Sequence, residues 1–178
     1  SRVTKVKPGD PVALSWNSCG VCPSCKSGNE AYCDNLFLYN FNGARPDGTT
    51  TLRKGDQVIY GSFFCQSSFA TLALTNERTI VKVRKDVPLE IVGPMGCGIR
   101  TGAGAVMNTL RPSPGASIAI FGVGPVGMSA LLASIVCGCT TVIAADVLPE
   151  RLKKAKDFGA THIVNAKESD PVAAIRDI

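Results

Sequence analysis

Four cysteines, Cys19, Cys22, Cys25 and Cys33, stand in the stretch CGVCPSCKSGNEAYC at intervals of three, three and eight residues. Short spacings bring sulfurs together without long loops, and four thiolates at about 2.3 Å from one ion make the tetrahedral cage that Zn2+ favours. Gly20 and Gly28 let the backbone turn tightly round such an ion, and Pro23 and Ser24 occupy the loop between the second and third ligands. Two disulfides are a competing reading. A thioredoxin-like redox pair is a third and weaker one, since Cys22 and Cys25 sit in no βαβ pattern. A four-cysteine cage has a closed coordination shell, so its zinc shapes a loop and takes no part in a reaction.

A second constellation lies in IAIFGVGPVGMSALL, where Gly122, Gly124 and Gly127 form G-x-G-x-x-G between an apolar run and a helical pattern. Asp146 follows 19 residues after Gly127, at the end of the next apolar run. A strand, a glycine turn and a helix bring a helix N-terminus to a pyrophosphate, and the acid accepts hydrogen bonds from an adenosine ribose. Pro125 has no N–H, so Val126 and Gly127 supply the nearest donors. Asp146 would repel a 2′-phosphate, and VLPE after it carries no base to hold one, which favours NAD over NADP. Arg151 either reaches the ribose or is solvated helix surface. The ligand-free alternative is a tight turn with Asp146 as a strand-end cap.

The elements that must position these residues divide the chain. With 178 residues, 45% of them apolar, it can bury a core without cross-links. Turns KPGD and RKGD lead into PVALSW and QVIYGSFF, and SSFATLAL and RTIVKV read as further strands. They predict a small barrel or sandwich, with the cysteine segment and NGARPDGTTTLRKGD as excursions. GPMGCGIRTGAG is a glycine-rich junction before a helical AVMNTL. ASIAIF, a helix over 125–137, TTVIAAD, the helix PERLKKAKDFG, HIV and the helix DPVAAIRDI then alternate, which implies a parallel sheet.

Other classes are disfavoured by composition. Residues 112–145 carry no charge and are long enough to span a bilayer, but Gly122, Gly124, Pro125 and Gly127 interrupt them. The net charge of +5 is dispersed and aromatic content is 6%, which argues against nucleic acid. SRVTKVKPGD has no apolar stretch of signal-peptide type, so the expected compartment is a reducing cytoplasm.

With its four-cysteine lobe, then GPMGCGIRTGAGA, then GVGPVG and an acid, the chain resembles the zinc-containing alcohol dehydrogenases of the medium-chain dehydrogenase superfamily. RPDGTT, SSFATLAL and GCGIRTGAGAV resemble the aryl (benzyl) alcohol branch most. The resemblance implies a fold of α/β plus β class: a partial GroES-like β-barrel catalytic domain over 1–98 with a structural-zinc lobe at about 17–36, then the first half of a Rossmann sheet over 99–178. It makes Cys97 a ligand of a catalytic zinc, places Thr101 near the nicotinamide, and puts Phe64 in the wall of the substrate pocket. Without the family, Cys97 reads as a buried thiol between two glycines. Cys65 stands where this branch usually has Gly; Cys137 and Cys139 read as core packing.

The implied reaction is oxidation of a primary aryl or allylic alcohol, in which zinc eases loss of the hydroxyl proton and NAD takes a hydride. Rival readings are a relative acting on a glutathione–formaldehyde adduct or a polyol, and a zinc-stabilised nucleotide-binding module without catalysis. A catalytic zinc needs three protein ligands, here two cysteines and a histidine by resemblance. The sole histidine, His162, lies in the nucleotide half and reads as structural. The expectation is therefore a fragment, inactive alone, from a protein that forms dimers or tetramers.

Overall fold

Lys7, Pro8, Gly9 and Asp10 reverse the chain into its first strand. Gly9 supplies the φ of +87° that the turn requires, and the Lys7 amide donates to Asp10 Oδ2 at 3.1 Å. The computed structural model describes residues 3–178, so Ser1 and Arg2, the start of the segment read for an export signal, lie outside the described residues. Two compact units, Ser1–Gly93 and Pro94–Ile178, make up the chain.

In the first unit β1 (Val12–Leu14) leads into the cysteine segment, which holds the helical turn α1 (Pro23–Lys26), a 3-10 turn at Glu30–Tyr32 and α2 (Leu36–Asn40). Pro23 and Ser24 thus begin a helix and are not a loop: proline presets the first helical turn, and the Ser27 amide closes it on Pro23 O at 3.0 Å. Gly20 and Gly28, at φ of +74° and +78°, make the tight turns expected of them. Next, β2 (Leu52–Lys54) and β3 (Gln57–Ile59) form an antiparallel hairpin turned by Gly55 and Asp56. The segment read as an excursion therefore carries a strand of its own. Finally β4 (Ile80–Lys82) pairs antiparallel with β1, and the short α3 (Leu89–Val92) follows.

Two sequence expectations fail here. QVIYGSFF is extended only to Ile59, and Phe63–Cys65 is a 3-10 turn with Phe64 at φ +53°. SSFATLAL is not a strand. Its alternation is present, but a strand needs a neighbour to receive its amides and carbonyls, and among the described residues none pairs with it. Phe69, Leu72 and Leu74 are exposed accordingly.

The second unit opens with α4 (Gly98–Gly104), continued by a π-helical stretch at Ala105–Leu110 that ends on Arg111 in the left-handed region. Glycines disfavour helix by about 1 kcal/mol each, yet GIRTGAG is helical because packing overrides propensity. At Gly102 a Cβ would lie 2.0 Å from Val126 O and 2.9 Å from Ala130 N, so only glycine lets the two helices approach this closely.

Strict alternation follows, as expected: β5 (Ser117–Phe121), α5 (Pro125–Val136), β6 (Thr141–Asp146), α6 (Pro149–Asp157), β7 (His162–Asn165) and α7 (Pro171–Arg176). The strands form one parallel sheet in the order β5-β6-β7. Strand β6 is central and buried on both faces. Val142 and Ala144 pack with Leu131 of α5 and Leu152 and Ala155 of α6, while Ile143 and Ala145 pack with Val164, Ala174 and Ile175. Two-sided burial explains why TVIAAD reads as a continuous apolar run. It also disposes of the membrane reading, since the uncharged 112–145 is a strand, a helix and a strand, and no helix among the described residues is long and apolar enough to cross a bilayer.

Gly102→Ala is expected to cost the chain about 1–3 kcal/mol, the usual penalty for forcing an atom into a packed interface. Denaturant unfolding checks it. Gly104→Ala, where a Cβ meets only Asn108 Nδ2 at 3.7 Å, is expected to leave stability nearly unchanged or raised.

Candidate functional site

The sulfurs of Cys19, Cys22, Cys25 and Cys33 are all buried and lie within 4.8 Å of one another. Tetrahedral coordination at a Zn–S distance of 2.3 Å calls for sulfurs about 3.8 Å apart, and Cys19 Sγ and Cys25 Sγ are separated by 3.9 Å. The donor set fits Zn2+. All four cysteines are free thiols, so the disulfide reading fails.

The backbone is arranged for anionic sulfur. The amides of Val21 and Cys22 donate to Cys19 Sγ at 3.5 and 3.3 Å, and the Cys19 amide donates to Cys33 Sγ at 3.3 Å. Amide donation from Val21 and then Cys22 outweighs burial and lowers the Cys19 thiol to about 6. Burial, reinforced by the neighbouring cysteines, raises Cys25 to about 11. Cys19 therefore ionises readily and Cys25 resists, until a divalent cation supplies the missing charge. The Arg78 guanidinium occupies the space that a side chain at Gly20 would need, a close approach that the sequence did not disclose. Asn40 was missed as well: 1% exposed, it donates to Asn17 O and Leu36 O at 2.8 Å and accepts from the Asn17 amide at 2.7 Å.

In the second unit the three glycines of the G-x-G-x-x-G turn do different work. Gly122 has φ +84°, favourable only to glycine. At Gly127 a Cβ would lie 1.9 Å from Gly122 O, so α5 can start against the strand only here without a side chain. Gly124 has an ordinary φ of −70°, and a Cβ there would meet nothing nearer than Arg151 Nη1 at 3.6 Å. Neither backbone nor packing demands glycine at 124. Gly124 is the N-cap of α5, a place that glycine favours, and its lack of a side chain also leaves room for close approach of a phosphate. Pro125 opens α5, whose first-turn amides at Val126 and Gly127 have no acceptor within the helix.

Asp146 ends β6 beside this turn. Its Oδ2 accepts from the Val123 amide at 2.8 Å and its Oδ1 from the Val147 and Leu148 amides at 2.7 and 3.0 Å. Burial alone would raise the carboxyl, but these three amides and the Arg151 guanidinium, 3.9 Å from Oδ2, outweigh it and hold the group below its ordinary value. It stays ionised, a fixed acceptor. Arg151 is thus half-exposed yet drawn to the turn.

Cys97 caps α4 and is exposed, which corrects its reading as a buried thiol. It precedes the packed part of the helix, where Gly102 meets α5. Thr101, also exposed, lies one turn on, its amide bonded to Cys97 O at 2.9 Å. Ser129 Oγ ties α4 to α5 by donating to Ile99 O at 2.6 Å, and a Cβ on Gly98 would lie 3.9 Å from Pro125 Cβ and Val126 Cγ2. The turn bearing Cys97 and Thr101 is thereby brought alongside the first turn of α5. Cys139 packs on the core, Cys137 ends α5 half-buried, and His162 is exposed with Nδ1 2.9 Å from Thr161 Oγ1.

Phe64 lies in the first unit, where it and Phe63 line a cavity of about 1100 Å3 with Asn17, Tyr39, Gln66 and Phe69. Phe64, Cys65 and Ser67 all have φ near +50 to +60°. Cys65, at +59°, takes a conformation natural to the glycine that the resemblance expects there.

Residues 1–109 match the family of alcohol dehydrogenase GroES-like domains, and residues 125–178 match the zinc-binding dehydrogenases. The chain belongs to the zinc-binding alcohol dehydrogenases. Among these relatives, the geraniol dehydrogenase of Castellaniella defragrans is 45% identical over 98% of this chain and 48% of its own length. The crystal structure of benzyl alcohol dehydrogenase from Acinetobacter calcoaceticus superposes with a TM-score of 0.93 at 50% identity, over 99% of this chain and 48% of that one. An alcohol dehydrogenase zinc-binding domain protein from Burkholderia ambifaria gives 0.91, also at 50% identity, over 98% and 47%. The chain spans about half the length of the curated relatives it matches.

Two outcomes are expected of this zinc-binding dehydrogenase chain. Metal analysis of unchelated protein should find about one zinc held by the four cysteines, and Cys25→Ser should abolish it. A thiol lowered to about 6 stabilises the folded lobe fully above its unfolded value of 9.0, and that contribution is lost as pH falls through about 6. Protons compete with the metal for all four sulfurs, so zinc release to a chelator should increase as pH is lowered. In the glycine turn, Gly127→Ala is expected to cost about 1–3 kcal/mol in denaturant unfolding, and Gly124→Ala almost nothing.

Proposed function

We propose that the protein to which this chain belongs oxidises a small primary alcohol to its aldehyde with NAD as hydride acceptor. The strand, glycine turn and helix with an ionised acid at the end of the next strand carry this reading: Gly122, Gly124 and Gly127 bring the N-terminus of α5, with first-turn amides unbonded within the helix, beside Asp146, an arrangement suited to a pyrophosphate. The ionised Asp146 is an acceptor for ribose hydroxyls and repels a 2′-phosphate, which favours NAD, and Arg151 lies across the same turn. The division of labour runs from a catalytic part over 1–98 to a cofactor part over 99–178.

Bound zinc would supply Lewis acidity toward the alcohol oxygen and NAD the hydride acceptor. Cys97 offers its exposed thiol as one of the metal's ligands, the others coming from outside this chain, and Thr101 stands one helical turn away toward the nicotinamide. Phe63 and Phe64 give the cavity an aromatic wall, which suits an aryl or allylic alcohol, and the names of the geraniol and benzyl alcohol relatives support that class. A cytoplasmic dimer or tetramer completes the proposal, since a reducing compartment keeps eight thiols unpaired.

The full-length protein tests it. Cys97→Ser should lower bound zinc from about two per chain to about one and turnover at least about a hundredfold, as loss of a Lewis acid worth several kcal/mol requires. NAD binding, followed by nucleotide fluorescence, should persist in that variant and fail in Gly124→Val. A wild-type protein with a single zinc and no alcohol turnover would leave a nucleotide-binding module in its place.

A further inference from the structure

The cavity wall is held from behind. Phe41 is not among the residues that line the cavity, yet its ring meets both lining rings edge-on, with centroids 5.8 Å from Phe63 and 5.7 Å from Phe64 at interplanar angles of 68° and 66°. Phe63 and Phe64 are themselves only 4.3 Å apart. On its other side Phe41 meets Phe37, one turn earlier on α2, at 5.9 Å. Edge-to-face packing is directional, so a ring in this position fixes orientation as well as filling space.

What holds Phe41 is traceable residue by residue. It is the C-cap of α2, with its amide bonded to Phe37 O at 2.8 Å. That helix starts three residues after Cys33, the last ligand of the sulfur cage, and the Leu36 amide donates to Cys33 O at 2.9 Å. Its last residue, Asn40, is clamped in both directions to the backbone of Asn17, two residues before Cys19. The cage therefore grips α2 at both ends. The wall is meanwhile set in a turn of left-handed residues, Phe64, Cys65 and Ser67, closed by the Phe63 amide on Ser67 Oγ at 2.9 Å. Such a turn persists only where its surroundings over-determine it.

We propose that Phe41 is a positioning residue for substrate selectivity, transmitting the rigidity of the four-cysteine lobe to the Phe63–Phe64 wall so that the cavity prefers a flat, unsaturated alcohol over a small saturated one. The inference rests on the reading of Phe64 as a substrate-facing residue. It assigns Phe41 no contact with substrate. It also gives the non-catalytic zinc a specific consequence for selectivity.

The test measures KM and kcat for benzyl alcohol and for ethanol in the full-length protein carrying Phe41→Leu, Phe41→Tyr or Phe64→Ala, with zinc content followed in each. Phe41→Leu is expected to raise KM for benzyl alcohol about threefold to tenfold more than KM for ethanol, with kcat moving less than KM. Phe64→Ala should shift the ratio in the same direction, Phe41→Tyr should retain the wild-type ratio, and zinc content should hold throughout. A shift in Phe64→Ala with none in Phe41→Leu overturns the positioning role and leaves the wall reading intact. No shift in either overturns both. Zinc loss in Phe41→Leu, or a shift that Phe41→Tyr fails to rescue, also overturns it, because Phe41 would then serve the integrity of the lobe alone.

Discussion

Four buried sulfurs that converge within 4.8 Å can all be thiolates only if a cation offsets their charge. The sites are not equivalent: amide donors lower Cys19, whereas burial raises Cys25. A divalent cation supplies that charge in place of the protons, and the amides of Cys19, Val21 and Cys22 already donate to the sulfurs. Much of the first unit hangs from this cage. Its strands are two short antiparallel pairs, too little sheet to hold a long irregular segment by ladder hydrogen bonds alone.

The second unit is governed by a different constraint, the distance at which backbone can meet backbone. Gly102 and Gly127 are both places where one methyl group would strike a carbonyl at about 2 Å, and they fix how α4 and the start of α5 sit against their neighbours. Once those approaches are set, the free amides of α5, the carboxylate of Asp146 and the turn with Cys97 and Thr101 share one end of the unit. Position precedes chemistry here: Asp146 is ionised because three amides and a guanidinium surround it, and they surround it because the glycine turn lets Val123 come within 2.8 Å. Gly124 lies under neither constraint and serves as the N-cap of α5.

Motifs whose chemistry is local were legible in the sequence. Four cysteines at short intervals can hardly avoid one another, and alternation of apolar runs with capped helices sufficed for every element from Ser117 to Arg176, because each buries its own pattern against its chain neighbours. Elements that depend on distant partners were not legible. SSFATLAL has the alternation of a strand, but strand formation is decided by a neighbour. GIRTGAG has the composition of a loop, but a helix forms because Gly102 fits against Val126 O. Cys97 looked buried from its small neighbours and is exposed because it caps a helix ahead of the packed part.

By itself the sequence determined the ligand set of the sulfur cage, the three glycines and acid of the nucleotide turn, and the division into a β-rich and an alternating half, since these follow from residue type and spacing along the chain. Only the tertiary structure decided which glycines meet backbone closely, that Asn40 locks α2 to the backbone before Cys19, that Arg78 packs on Gly20, and that Phe41 backs the aromatic wall. Each of those facts depends on the separation in space of residues far apart in sequence, and that separation is set by packing, which no local pattern encodes.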